Sequence, residues 1–260
     1  MKDSRCVRYP STSCSILITD SITCDTVGLL ARSAADLELL SDVFRLVDDE
    51  ASSTQPLALD QCTFGFVKTY VWPKATPAVQ DVWENAKRKL VYAGAKVEEV
   101  ELPEDFDHLG TWHRNILHME GQSSFLGDYL KTPNQLDPWV KKHVENDTST
   151  TRREQLDSYD NIARLRPVID SIASKYTVLI TPSVTDEAPI LEEPLRFTGD
   201  ASFNLMWTVL HTPVLNVPGF LGPNGLPIGL SLVAGRYRDQ HLLRCGKAVA
   251  EVFAESGSGP

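Results

Sequence analysis

Cys62-Thr-Phe-Gly-Phe-Val67, the proline-headed stretch from Thr76-Pro77 to Gly94, and Lys96-Val-Glu-Glu-Val-Glu-Leu102 follow one another directly in the chain. The first is a short apolar run rich in strand formers, closed on both sides by polar residues. In the second, Thr76 stands where a helix cap belongs and Pro77 occupies the first helical position, whose amide would lack a partner anyway. Val79, Val82, Trp83, Ala86 and Leu90 then recur on one helical face. The third alternates as a strand and is closed by Pro103. Strand, helix and strand in that order predict an α/β layer in which the two strands pair in parallel across a helical crossover.

Upstream, Ser33 can cap a helix, with Asp36 three residues on and Leu37, Leu40, Phe44 and Val47 on one face, so a helix ending near Asp48 is expected. A loop of small and polar residues, Asp49 to Asp60, links it to the first strand. Downstream, Asp105 to Tyr176 reads as amphipathic helix broken by Pro133, Pro138 and the polar run Asn146 to Arg153, with no visible chemistry. Val178-Leu-Ile-Thr181 has the look of a buried strand. The acid- and proline-rich loop Ser183 to Pro194 behind it is a candidate pocket wall, because loops at strand ends of such sheets carry sites. A helix over Phe203–Leu210, a strand over Val214–Val217 between Pro213 and Pro218, a turn at Gly225, a strand over Ile228–Val233 and a helix opening at Asp239 complete the order. Residues 1–255 are expected to form one domain and 256–260 a flexible tail.

The chain has 260 residues, 42% of them hydrophobic, enough for a sizeable core. A formal net charge of -10 and a pI near 5.1 argue against nucleic-acid and anionic-membrane partners, since phosphates would be repelled. The clusters Lys87-Arg88-Lys89 and Arg152-Arg153 read as solvated helix faces. Cys6, Cys14, Cys24, Cys62 and Cys245 are odd in number and scattered, as in a reducing compartment. With no apolar run of about 18 residues to span a bilayer, the expectation is a soluble, cytoplasmic protein.

Residue types alone reveal no catalytic set. His108, His113 and His118 are spaced so that successive rings turn about 140° around a helix and cannot share a face. No H-E-x-x-H, G-x-S-x-G or S-x-x-K occurs, so neither a metal nor a cofactor is expected. Gly28 and Gly65 stand alone, and Gly219, Gly222, Gly225 and Gly229 read as turn residues. Glu98-Glu99 on a strand would point to opposite faces and cannot converge for acid–base work.

Four stretches in order resemble the amidase signature family downstream of its signature. They are Ser21-Ile-Thr-Cys-Asp-Thr-Val-Gly-Leu-Leu-Ala-Arg-Ser-Ala-Ala-Asp36, with Leu29 where the family has proline; Phe64-Gly-Phe-Val67 with its helix and Gly94-Ala-Lys-Val-Glu-Glu-Val100; Val178-Leu-Ile-Thr-Pro-Ser183; and Phe203 to Gly219 with Gly225 to Gly235. Val7-Arg-Tyr-Pro-Ser-Thr12 resembles the segment that follows the signature. The resemblance implies a mixed, mainly parallel sheet flanked by helices, here incomplete. It also implies acyl transfer by two serines and a lysine, residues that the family carries ahead of Arg8. Ser11, Ser13 and Ser15 lack flanking glycines, and Lys2 is the only lysine before Lys68. No residue of this chain is therefore assigned a catalytic role, and the isolated chain is expected to be inactive. The regions around Trp207, His211 and Thr181 correspond to the family's substrate side and are the candidate pocket residues. The implied partner is a small amide substrate, once a front half completes the site, with a homodimer left open. The alternative is a non-catalytic amidase-like binding or interaction protein.

Overall fold

The computed structural model describes residues 20–48, 56–189 and 200–254. Five strands form one sheet in the order β2-β1-β3-β5-β4: β1 Thr63–Val67, β2 Lys96–Val100, β3 Val178–Pro182, β4 Val214–Leu221 and β5 Pro227–Val233. β1 pairs in parallel with β2 on one side and with β3 on the other, as the strand–helix–strand pattern predicts. β5 runs antiparallel to both β3 and β4, so the sheet is mixed and β5 alone opposes the rest. Its direction follows from the tight turn behind β4. Gly225 takes φ 77, Gly225 N–H donates to Gly222, and Gly222 N–H donates to Leu226.

Helices cover both faces. On one side pack α1 (Ala34–Val43), α2 (Pro77–Tyr92) and α8 (Asp239–Ala254), over a core of Phe64, Phe66, Trp83, Leu90, Ile180, Leu230, Leu232 and Leu242. On the other lie α3 (Leu109–Ser124), α4 (Leu126–Lys131), α5 (Pro138–Val144), α6 (Arg152–Ala173) and α7 (Ser202–Leu210), with Ile116, Ile162, Leu165, Ile169, Leu179, Met206, Trp207 and Val233 inside. Alternate residues of β3, Leu179 and Ile180, feed opposite clusters, as the pleat requires. Among the described residues no helix is long and apolar enough to cross a membrane.

Several boundaries differ from the sequence expectation. The helix capped by Ser33, whose hydroxyl accepts from Asp36 N–H at 3.1 Å, stops at Val43; Arg45 at φ 53 turns the chain, and Val47 lies exposed beyond it. Pro138 starts α5 rather than breaking a helix, and Asp137 accepts from Trp139 N–H as its cap. α6 opens with a Thr151–Glu154 capping box inside the run Asn146–Arg153, read as a breaker, and continues through Pro167. β4 does not stop at Pro218. It passes through a register shift between Pro218 and Phe220, a position where a missing N–H is tolerated because β4 ends the sheet among the described residues. Thr76 precedes α2 as foreseen but makes no side-chain cap; its N–H donates to Thr185 instead. The tail 256–260 and the loop residues 190–194 lie outside the described residues.

Candidate functional site

A cleft of about 570 Å³ opens where β1 ends, between the loop after Val67, the middle of α3 and the first turn of α7. Ligands of open α/β sheets bind at this end, where strands hand over to loops. Tyr70, Val71, Pro73 and Lys74 come from the loop, Gly110, His113, Arg114 and Leu117 from α3, and Ser202 and Leu205 from α7. Gly110 is small of necessity: a Cβ there would sit 2.5 Å from the Tyr70 hydroxyl. Burial pushes the Tyr70 phenol above its ordinary range, against the pull of Arg114. Lys74 bonds Asp200 at 2.9 Å, and Asp200 also accepts from Ser202 N–H at 2.8 Å. The Ser202 bonds and then Lys74 hold the Asp200 carboxyl below its usual range. The Ser202 hydroxyl is buried beside Asp200.

A second polar centre ties the segment at the start of the described chain to the α3–α6 layer. Glu120 of α3 accepts from the Ser21 hydroxyl, Thr23 N–H (3.0 Å), the Thr23 hydroxyl (2.5 Å) and the Tyr159 hydroxyl (2.5 Å). Burial raises the Glu120 pKa, but these bonds together outweigh it and hold the carboxyl low. Tyr159 responds in the opposite sense, pushed up to about 12 by burial and then by Glu120. His211 caps α7 in the left-handed region at φ 59. Its Nε2 lies 3.0 Å from the Thr23 carbonyl and 3.1 Å from Arg166 Nη2, so a neutral ring satisfies one of them at a time.

A third row crosses the sheet. Thr181, Ser231 and Asn216 stand opposite one another on β3, β5 and β4. The Ser183 hydroxyl donates to Asn216 Oδ1 at 2.7 Å and lies 2.8 Å from the Ser231 hydroxyl. These serines are joined to an amide, which does not take protons, while Lys74, Lys87 and Lys89 bond Asp200, Glu84 with Glu99, and the Phe253 carbonyl, and Lys68, Lys141 and Lys247 pair with Glu99, Glu145 and Glu38.

The expected pocket residues are thus spread over three places. Trp207 is packed in the core below the cleft, and its indole N–H is buried without a hydrogen-bond partner. His211 faces the Thr23 segment. Thr181 is fully buried in the hydroxyl row, and its side-chain oxygen likewise has no partner. The described part of the loop behind Pro182 does not line the cleft: Glu187 turns to the β4–β5 connection and accepts from Asn224 and Leu226 N–H. The middle of the chain, which showed no chemistry in sequence, contributes Arg114, Glu120, Tyr159 and Arg166. No motif marks them; Glu120, Tyr159 and Arg166 are polar residues half-buried on long helices, and Arg114 is an exposed position indistinguishable from a solvated one. Among the described residues no group of three or more histidine, cysteine, aspartate or glutamate side chains could hold a metal.

The sequence pattern of the Amidase family matches residues 8–243. This chain belongs to the amidase signature family. A subunit of the mouse mitochondrial glutamyl-tRNA(Gln) amidotransferase is 25% identical over 267 residues, covering 86% of this chain and 50% of that protein. The corresponding glutamyl-tRNA(Gln) amidotransferase subunit from Zymomonas mobilis is 24% identical over 288 residues, covering 95% and 57%. A crystal structure of an amidase superposes with a TM-score of 0.76 at 19% identity, covering 88% of this chain and 53% of the other. For a fatty acid amide hydrolase the TM-score is 0.67 at 17% identity, covering 89% and 48%. This chain therefore has the family's fold and spans about half the length of the relatives it matches.

Proposed function

We propose that this chain is the back portion of an amide C–N hydrolase of the Ser-Ser-Lys type, a single partial domain over residues 1–255. In this reading it supplies the substrate-side wall while the activated serine and lysine come from elsewhere. The observation that carries the reading is the match over residues 8–243 joined to coverage of only about half of each relative. Serine attacks an amide only when a neighbour takes its proton and donors await the oxyanion. The buried serines of the third row meet asparagine and each other instead. Trp207, His211 and Thr181 are the residues this reading assigns to the acyl side, although they stand in three separate places, and the indole N–H and threonine hydroxyl are buried without a hydrogen-bond partner. Relatives named as subunits of an amidotransferase support an assembly with a second polypeptide. Cytoplasmic residence belongs to the same reading and rests on Cys24, Cys62 and Cys245, buried thiols that form no disulfide among the described residues.

The test is hydrolysis of a panel of small aryl amides by the purified chain, alone and with a signature-bearing front half added in trans. The chain alone should be inactive and the mixture active. Turnover by the chain alone, abolished by a serine-directed inhibitor, overturns the proposal. The formed cleft favours one second reading, a non-catalytic amidase-like binding protein; it gains if no front half restores turnover.

A further inference from the structure

We propose that the cleft between the β1–α2 loop, α3 and α7 is a binding site for small carboxylates with an apolar body. Its ten lining residues include Lys74, Arg114 and His113 and no aspartate or glutamate, in a chain whose formal net charge is -10. A concave site of that sign in an acidic protein concentrates anions against the surrounding field. Among the described residues Arg114 has neither an ion pair nor a hydrogen bond, so its planar fork is open to a carboxylate, the partner whose geometry it matches. Lys74 is committed to Asp200 and contributes as a shared charge at the rim.

The rest of the cleft wall is polar only at one edge. Ser202, only 6% exposed, stands on the wall, and both its N–H and its hydroxyl are turned to Asp200, which Lys74 also holds, so this carboxylate is engaged from the protein side. Leu117 and Leu205 supply apolar wall for the ligand's body. A bare inorganic anion would leave this surface wet, whereas an aryl or alkyl carboxylate covers it while its head meets Arg114. Binding to this chain is measured whether or not any front half restores turnover, so failure of the site and failure of the hydrolase reading are distinguishable.

The experiment is calorimetric titration of the whole chain with benzoate and hexanoate beside the isosteric benzamide and hexanamide. The carboxylates should bind roughly tenfold or more tightly than their amides, in line with loss of a charge-assisted bond. Arg114→Gln, at an exposed position, should remove that preference, with a melting curve like the parent's showing that the variant is folded. Leu205→Trp should abolish binding of both, by filling the cleft; a melting curve and amide spectrum like the parent's show that the variant is folded, and Leu117→Trp replaces it if it is not. Equal affinity for acid and amide, unchanged acid affinity in Arg114→Gln, or no binding of any of the four compounds overturns the proposal.

Discussion

Glu120 accepts from three side chains and one backbone amide, and substitution by glutamine separates its charge from its shape. Every group facing it is a donor. Glutamine offers one acceptor oxygen and turns an amide NH2 toward the remaining donors, leaving at least one buried group unpaired. Glu120→Gln should cost about 1–3 kcal/mol, the usual penalty for stranding such a group, read as a lower urea midpoint with an unchanged slope. The pH dependence follows in sign. The folded carboxyl lies below its reference value of 4.5, so its stabilisation is complete above that value and is lost as pH falls through the lowered one. The deficit of the variant should therefore shrink toward zero in acid, and a deficit unchanged from neutrality down to about pH 3 would contradict a role for the charge.

At the scale of elements, the helix–sheet contacts are close enough to be tested by one carbon atom. α8 lies against β4 at Gly246, where a Cβ would overlap Leu215 Cδ2. Gly246→Ala should destabilise by about 1–3 kcal/mol through overpacking, despite alanine's better helix propensity. In a Leu215→Ala background the same substitution should cost less, because the clashing methyl is gone; strictly additive costs would rule out the contact. β1, α2, β2, β3 and α8 were legible in sequence because each carries its periodicity over its own length: Val79, Val82, Trp83, Ala86 and Leu90 are all buried as read. β4 was cut short because Pro218 signals a strand end locally, while the edge position that tolerates it exists only in the assembled sheet. α1 was drawn too long because Phe44 and Val47 keep helical spacing, and nothing local reveals the left-handed turn at Arg45. The cleft was illegible for another reason. Lys74, Arg114 and Ser202 stand far apart in sequence and meet only because β1, α3 and α7 converge at one end of the sheet.

At the scale of the whole molecule, half-length coverage of the relatives makes a physical demand on the surface. In the proposed hydrolase reading, the face that a front half covers appears here as exposed apolar area, and α1 with its flanks carries such residues. Leu30, Leu39, Val43 and Val47 are 93%, 65%, 69% and 63% exposed, and Phe44 is 46% exposed. Single exposed apolar residues are ordinary, but five within eighteen residues, with Leu39 and Val43 one turn apart on α1, are more than a free-standing monomer usually presents to water. The purified chain should therefore self-associate or bind a hydrophobic dye at micromolar concentration. Leu39→Glu with Val43→Glu should suppress both without lowering the stability read from urea unfolding by more than about 0.5 kcal/mol, because neither side chain is buried in the core. The outcome separates the two functional readings. A self-contained binding protein would give a monodisperse monomer whose dye binding the double variant leaves unchanged, whereas a half-domain gives a sticky chain cured by two charges on α1. The same two substitutions should abolish any turnover restored by a front half in trans, because they place charge on the surface that half must cover.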